Sequence, residues 1–499
     1  MKAARQYRYT TRLILIFTAV LIGLGIARLA PALPASYPWL LGIFTILSFR
    51  KARLLSLYSI VGFGLSLGWW RGGIYMNHVH ELTALSKLKV VITGTALSDS
   101  IYDSKSQVSF DMGGLQLEEP YQKSIVGKVG VSGYGEAMVY RGDQVRVSGK
   151  FYPARGSLVA YLSYSNMKVI GRSHSVAYSI TRRFAAGLEN TLPEPLAPFA
   201  LGLLVGQRNT LPKDVTAMLA AVGLSHIIAV SGYNLTIMMR AGKRLFGKRS
   251  KFQTYVGSQA LVLGFLLVTG LSASIVRAAI ITTLSLGGWY YGRKIKPLLL
   301  ILFAAAATAL WNPLYVWSDI GWYLSFLAFF GVLILGPLVR RRLFSGEPRG
   351  IIGELIMETI SAQIMTLPLV LHIFKTSSFM ALPANILVVP LIPLAMLLSF
   401  VAGLAGMLVA PVAGWIAWPA RIVLTYLLDT ATMFSRVRGM SFRVVVSLTG
   451  MLLMYGCLLL VLFTLWRKNR QNDKITEVEV ELDSTSPMLS GFVGEHRSG

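Results

Sequence analysis

The sequence predicts a polytopic α-helical membrane protein with an inserted, extracytoplasmic OB-like small β-barrel domain. Three observations carry that class: an apolar composition, long uncharged stretches, and one segment in which short β-rich runs alternate with turn signals. Of 499 residues, 54% are hydrophobic and only 14% charged, and the mean hydropathy is +0.58. Soluble domains run near a quarter charged, so this apolar excess needs an apolar solvent. Stretches 13–26, 54–70, 259–273, 298–311 and 444–466 approach or exceed the roughly 20 residues that cross a bilayer as helix.

The first stretch follows Lys2, Arg5, Arg8 and Arg12, which invites a signal-peptide reading. No small-residue cleavage pattern follows it cleanly and further apolar stretches come at once, so it reads as a retained span. The net charge of +26 raises nucleic acid or anionic lipid as partners. The basic clusters nevertheless fall between spans: Arg50, Lys51 and Arg53; Lys243, Arg244, Lys248, Arg249 and Lys251; Arg293, Lys294 and Lys296; Arg340, Arg341 and Arg342; Arg467, Lys468 and Arg470. The positive-inside rule produces this pattern. With the clusters in the cytoplasm, the transmembrane helices of residues 1–77 exit, return near 39–49 and exit again, which leaves residues 78–172 outside.

Within 78–172, β-rich runs at 90–97, 107–112, 126–132, 137–140, 144–151 and 158–170 are separated by Gly113-Gly114, Gly133, Gly135 and Arg141-Gly142-Asp143. Five or six short strands fit a small Greek-key barrel, of which the OB-fold is one example. Lysines, arginines and aromatics are interleaved, among them Lys123, Lys128, Tyr134, Arg146, Lys150 and Tyr152. That mixture suits base stacking along a single strand; equally, most of the aromatics fit a barrel core or sheet surface. Residues 173–194 read as an amphipathic connecting helix at the interface, with Arg182 and Arg183 on its polar side. Residues 195–466 are membrane-embedded, and 467–499 form a polar cytoplasmic tail that is expected to be disordered.

Polarity inside the apolar region is the sharpest signal, because ionisable residues there normally face a bundle interior or a water-filled cavity. They are Arg277, Asp319, Glu354, Glu358, Arg421 and Asp429, joined by Gln363 and Asn385. Each has a local explanation: Asp319 as an N-cap, Arg277 snorkelling or pairing with a helix end, Arg421 with Asp429 as a buried tie. Jointly they argue for a hydrated interior. Glycines and prolines from Gly202 to Gly270, and Pro390, Pro393 and Pro411, interrupt the helices, as backbone lining a cavity permits.

The segment 223–234 packs His226, Ser231 and Asn234 into apolar surroundings. A hydrolase reading makes Ser231 a nucleophile and His226 its base, but five residues of spacing put them on different helix faces and no Gly-x-Ser-x-Gly elbow is present. No phosphate-cradling Gly-x-x-x-x-Gly-Lys-Ser/Thr loop occurs. The six histidines are scattered, and the lone Cys457 excludes an intramolecular disulfide and a cysteine-based metal site. No cofactor or metal is expected, and no enzymatic activity.

At these residues the chain resembles the ComEC family of competence proteins, the membrane channels of bacterial DNA uptake. The resemblance runs through Gly202-Leu-Leu-Val-Gly206, Gly223-x-x-His226-Ile-Ile-Ala-Val-Ser231-Gly232 and Gly270-x-Ser272-x-Ser274-x-x-Arg277-Ala278. It continues with Asn312-Pro313, Asp319-x-Gly321-x-x-Leu324-Ser325-Phe326, Thr366-Leu367-Pro368-Leu369, Asn385 and Pro390. The family usually has His where Asn234 stands, Pro where Ala273 stands and Gln where Tyr323 stands. Many members also carry a C-terminal metallo-β-lactamase-like domain proposed to degrade one strand, and this chain is expected to leave that step to another protein.

The resemblance implies import of single-stranded DNA through a channel during natural transformation. It makes His226, Ser231, Asn234, Ser274, Arg277, Asp319, Ser325, Gln363, Thr366 and Asn385 channel-lining or motif residues, with Asp319 holding helices rather than touching the strand. It makes the β domain, through Lys123, Lys128, Tyr134, Arg146, Lys150 and Tyr152, a DNA-binding receiver. Implied partners are single-stranded DNA, the lipid bilayer, a membrane DNA receptor, a separate nuclease and a cytosolic helicase-like ATPase. A transporter of another anionic solute or lipid shares every physical feature except the motif run.

Overall fold

A computed structural model describes residues 2–485 except 31–32, 35, 49–52, 103–106, 136–137, 154–155, 157, 173–175, 207–210, 229–234, 236–249, 270–272, 294, 344–349, 379 and 438–440. The helices begin with α1 Lys2–Ile26, α2 Ser36–Ser48 and α3 Arg53–Thr83, and resume after the β region with α4 Val176–Thr191, α5 Leu196–Val205, α6 Lys213–Ala221 and α7 Ser225–Ile228. Next come α8 Lys251–Thr269, α9 Ala273–Tyr290, α10 Pro297–Trp311, α11 Leu314–Ser318 and α12 Ile320–Phe330. A π-helical turn, Gly331–Leu335, leads into α13 Gly336–Leu343, followed by α14 Gly350–Phe374, α15 Ala381–Val388, α16 Ile392–Leu408, α17 Ala413–Ser435 and α18 Leu448–Thr485. Among the described residues five helical stretches are long and apolar enough to cross a membrane: Tyr9–Ile26, Ile320–Arg340, Ile356–Phe374, Ala381–Leu408 and Leu448–Lys468. Helix α3 carries the expected segment 54–70 and α8 carries 259–269 of the segment expected at 259–273, of which 270–272 lie outside the described residues and Ala273 opens α9. The protein is a multi-pass membrane protein.

The chain divides into two compact units, one made of Met1–Phe326 and Ser378–Ser441, the other of Leu327–Ser377 and Phe442–Gly499. In the first, α1 and α3 pack through glycines four residues apart. A Cβ on Gly64 or Gly68 would lie 2.7 Å from the Ile16 carbonyl or 2.2 Å from the Val20 carbonyl. Small residues at this spacing let two membrane helices approach backbone to backbone. Helix α4 meets α16 the same way, since a Cβ on Gly406 would fall 2.0 Å from the Gly187 carbonyl. Its apolar stripe, Phe184 and Leu188, is buried in a core shared with α5, α6 and α15–α17. The amphipathic helix expected at the interface therefore covers another helix.

The β region holds strands β1 Lys89–Ala96, β2 Ile101–Tyr102, β3 Val108–Glu119, β4 Lys123–Ile125, β5 Val129–Tyr134, β6 Gln144–Pro153 and β7 Ala160–Gly171. Pairing follows β1-β6-β7-β5-β3, and β1 also pairs β3, so the circuit returns to its start. Alternating residues fill its interior: Ile92, Phe110, Met112, Val131, Val147 and Leu162 are all buried. Gly113-Gly114, expected as a turn, lies inside β3. The pairing with β1 shifts register there and Gly114 has φ +60°, the geometry of a glycine bulge. The run expected at 137–140 forms no strand over its described residues; Tyr140 N–H instead donates to Asp143 Oδ2 at 3.1 Å, and Asp143 is 1% exposed. Tyr75 and Leu82 of α3 belong to the β core, with Leu314 and Trp317 packed against it, and Ser318 Oγ donates to the Gly156 carbonyl at 2.7 Å. The guanidinium groups of Arg172 and Arg182 sit 5.7 and 5.1 Å from the Tyr140 ring, joining this region to α4.

In the second unit Leu335, Met365 and Leu462 form a small core. Tyr455 OH donates to the Met365 carbonyl at 3.2 Å, and His372 Nδ1 lies 2.9 Å from the Val446 carbonyl. Helix α18 continues to Thr485, well into residues 467–499 where a disordered tail was expected. Its later turns carry Lys474, Glu477, Glu479 and Glu481, which include strong helix formers.

Candidate functional site

Arg277 anchors the polar interior of the first unit. It projects from α9, is 2% exposed, and donates from Nη2 to the Gly321 carbonyl at 3.2 Å. Its guanidinium carbon stands 5.7 Å from the Phe326 ring centroid, so it holds the start of α12 to α9. Nε and Nη1 find no hydrogen-bond partner. Buried donors of this kind are rare in folded proteins. Asp319 acts on this guanidinium through its charge and caps α12, with Oδ1 accepting from Trp322 N–H at 3.2 Å. Trp322 in turn donates from Nε1 to Thr308 Oγ1 at 3.1 Å. Ser274 and Ser325 occupy partly buried positions on α9 and α12.

A second cluster surrounds α7. Gly223 has φ +73°, and a Cβ there would lie 2.8 Å from the Ala381 Cβ, so the motif glycine permits close approach to α15. His226, three residues on, places Nδ1 3.1 Å from the Gly223 carbonyl. Asn385 on α15 is 5% exposed and its Oδ1 has no partner. Ser231 and Asn234 lie outside the described residues. In the second unit Gln363 Oε1 is buried without a partner, while Thr366 Oγ1 donates to the Ala362 carbonyl at 3.0 Å. Arg421 and Asp429 do not form the buried tie the sequence allowed: both are exposed on α17.

The β region sorts its candidate cations by strand. Lys123 pairs with Glu81, and that hydrogen bond holds the Glu81 carboxyl below its ordinary range and raises the Lys123 ammonium. Arg146 pairs with Glu118 at 2.7 Å, whose carboxyl is lowered first by the Thr93 hydroxyl and then by Arg146. Tyr134 OH accepts from Gln107 Nε2 at 3.3 Å at the end of β5, and Lys128 precedes that strand, so these two stand apart from β6. The remaining candidates share one face. Arg146, Lys150 and Tyr152 alternate along β6, opposite Lys168, Ser163 and Tyr161 of β7, with Lys89 of β1 opposite Lys150. Lys89, Lys168 and Tyr161 belong to the interleaved cations and aromatics but not to the six DNA-binding candidates; the register of three strands brings them to this face. On β3, by contrast, the outward positions are Ser109, Asp111, Gln116 and Glu118.

Among the described residues no three of His, Cys, Asp and Glu gather as metal ligands. The unpartnered groups of Arg277, Gln363 and Asn385 are donors and acceptors in apolar surroundings.

The model of the competence protein family matches residues 203–469. ComE operon protein 3 of Bacillus subtilis (strain 168) is 24% identical over 228 residues, which are 45% of this chain and 28% of that protein. The chain thus spans less than a third of the curated relative it matches. No solved structure matches the chain significantly.

Proposed function

From the chain's membership of the competence protein family, we propose that it is the channel through which single-stranded DNA crosses the cytoplasmic membrane in natural transformation. The observation that carries this reading is the family match over residues 203–469, within which Arg277 and Asn385 of the first unit and Gln363 of the second keep buried polar atoms without a partner. A phosphate chain needs a path whose walls supply such groups where lipid cannot.

The closed pairing circuit, with β5 parallel to β7 and the other pairs antiparallel, supports an OB-like barrel outside the membrane. Its β6–β7 face, with Lys150, Lys168 and the Tyr152–Tyr161 pair, suits backbone neutralisation and base stacking. The acid-bearing β3 face does not. The chain is read as a channel and not an enzyme, since Ser231 and His226 lack the spacing of a nucleophile and its base. The partners proposed with this reading are a separate nuclease, a cytosolic helicase-like ATPase and a membrane DNA receptor.

The test is deletion of the gene in a transformable host, followed by labelled DNA. Loss of label from the cytosol, with surface-bound DNA retained, is expected. Normal cytosolic uptake overturns the reading and leaves transport of another anionic solute or lipid.

A further inference from the structure

Two of the five spans end at α11. Tyr9–Ile26 closes beside it, and Ile320–Arg340 opens two residues after Ser318. Trp317 Nε1 donates to the Leu24 carbonyl at 2.8 Å, one of the acceptors that a helix leaves open in its last turn. Arg28, just past that span, donates from Nη1 to the Trp317 carbonyl at 3.1 Å. Tryptophan favours this boundary between apolar and aqueous surroundings. Residues 314–318 therefore lie at the bilayer surface, on the side that carries the β region.

The β region meets that surface at one end of its β6–β7 hairpin. Ser318 Oγ donates at 2.7 Å to the carbonyl of Gly156, in the connection between the two strands. The Trp317 ring meets Tyr75 edge-on, with centroids 6.1 Å apart. Outward residues along the hairpin run from the Arg146–Lys168 pair through Lys150 and Ser163 to Tyr152 and Tyr161, about 20 Å of strand. Of these, the aromatic pair stands nearest Gly156. Gly130 of β5 lies opposite Tyr161, and a Cβ there would come 2.7 Å from the Tyr161 ring, so the glycine gives the ring space over β5. On the other side of the contact, Asp319 follows Ser318 directly. Arg277 donates to the Gly321 carbonyl, at most about 11 Å of chain from Ser318.

We propose that Trp317 and Ser318 are positioning residues for import: they fix the β6–β7 hairpin so that a single strand held on its face leaves at the Tyr152–Tyr161 end and enters the membrane beside Arg277. The order of groups suits that direction. Cations neutralise the backbone first and the two rings then stack bases; beyond them come the unpartnered guanidinium donors of Arg277. The proposal rests on the channel reading above and deepens it by fixing where on the β region the strand leaves.

The test separates binding from passage, using purified full-length protein and a transformable host. Trp317→Phe removes the indole donor and keeps an aromatic ring; Ser318→Ala removes the hydroxyl. The double variant is expected to lower cytosolic uptake of labelled DNA at least fivefold. Its membrane abundance and its Kd for a single-stranded oligonucleotide should stay within twofold of wild type. Ser318→Thr alone, which keeps the hydroxyl, should retain most of the uptake. Normal uptake in the double variant overturns the proposal. Parallel loss of abundance, binding and uptake marks a merely structural contact and also overturns it. Photocrosslinking of the unaltered protein to an oligonucleotide carrying 4-thiothymidine tests the exit without any variant. Crosslinks should mark β6–β7 peptides together with the peptide that holds residues 314–323. At the opposite end of the hairpin Gln144 pairs with Gly171, and Arg172 lies over Tyr140. Crosslinks that run from β6–β7 to Tyr140 and Arg172 and miss 314–323 put the exit at that end and overturn the proposal. In every overturning result the channel reading stands as long as the deletion strain fails to import DNA, so the two ideas fail separately.

Discussion

Asp111 is half-buried on β3, where loss of water raises its carboxyl above the ordinary range and Lys128 only partly opposes the shift. An acid with a raised folded-state pKa favours folding in its neutral form. That stabilisation is complete below the unfolded pKa and is lost as pH rises through the folded one. At pH 7 the charged carboxylate therefore works against the β region. Asp111→Asn is expected to stabilise that region at pH 7 by on the order of 1 kcal/mol or less, with the advantage shrinking toward pH 4. Hydrogen exchange of the β3 amides in the full-length protein measures it; slower wild-type exchange at pH 7 would contradict the sign. Residue type alone revealed neither this burial nor that of Arg277. The sequence marks Arg277 as a charge in an apolar span, but only the crossing of α9 and α12 decides that its guanidinium is enclosed beside Gly321 and Phe326.

At the scale of elements, spacing was legible where it acts within one segment and opaque where it acts across segments. The apolar stretches gave the helices and the alternation gave β1, β6 and β7, because both patterns are local. Gly113-Gly114 misled, since a glycine pair serves a bulge as well as a turn, and the choice depends on the partner strand. The same cross-strand register assembles Lys89, Lys150 and Lys168 on one face and leaves Lys123 to Glu81. Lys150→Ala combined with Lys168→Ala should therefore lower the salt slope of oligonucleotide binding by about two, one per lysine, whereas Lys123→Ala should barely alter it. Fluorescence anisotropy of the purified full-length protein across a salt series reads both, and equal slopes would remove the β6–β7 face from the binding surface. The glycine ladder of α3 makes a packing prediction. Gly68→Leu drives a side chain into the Val20 carbonyl, 2.2 Å from where its Cβ must go. It should destabilise the protein by about 1–3 kcal/mol, seen as a lower midpoint of thermal aggregation. Gly264→Ala, whose Cβ meets nothing within 4 Å, should not.

For the whole molecule, charge governs sidedness. Lysine and arginine within short loops near span ends hold those loops in the cytoplasm. The loop with Arg293 and Lys296 follows α9, while the β region lies between α3 and α4 and has acids among its bases. On the proposed function the β region lies outside and Arg293 inside, the arrangement a strand receiver needs if it is to act before the membrane is crossed. In a Cys457→Ala background, Tyr164→Cys, at a position 71% exposed on β7, should react with a membrane-impermeant maleimide in intact cells. Arg293→Cys should react only after the membrane is permeabilised. The opposite pattern would place the β6–β7 face in the cytoplasm, where it would meet the strand after import, and the direction of the proposed mechanism would reverse.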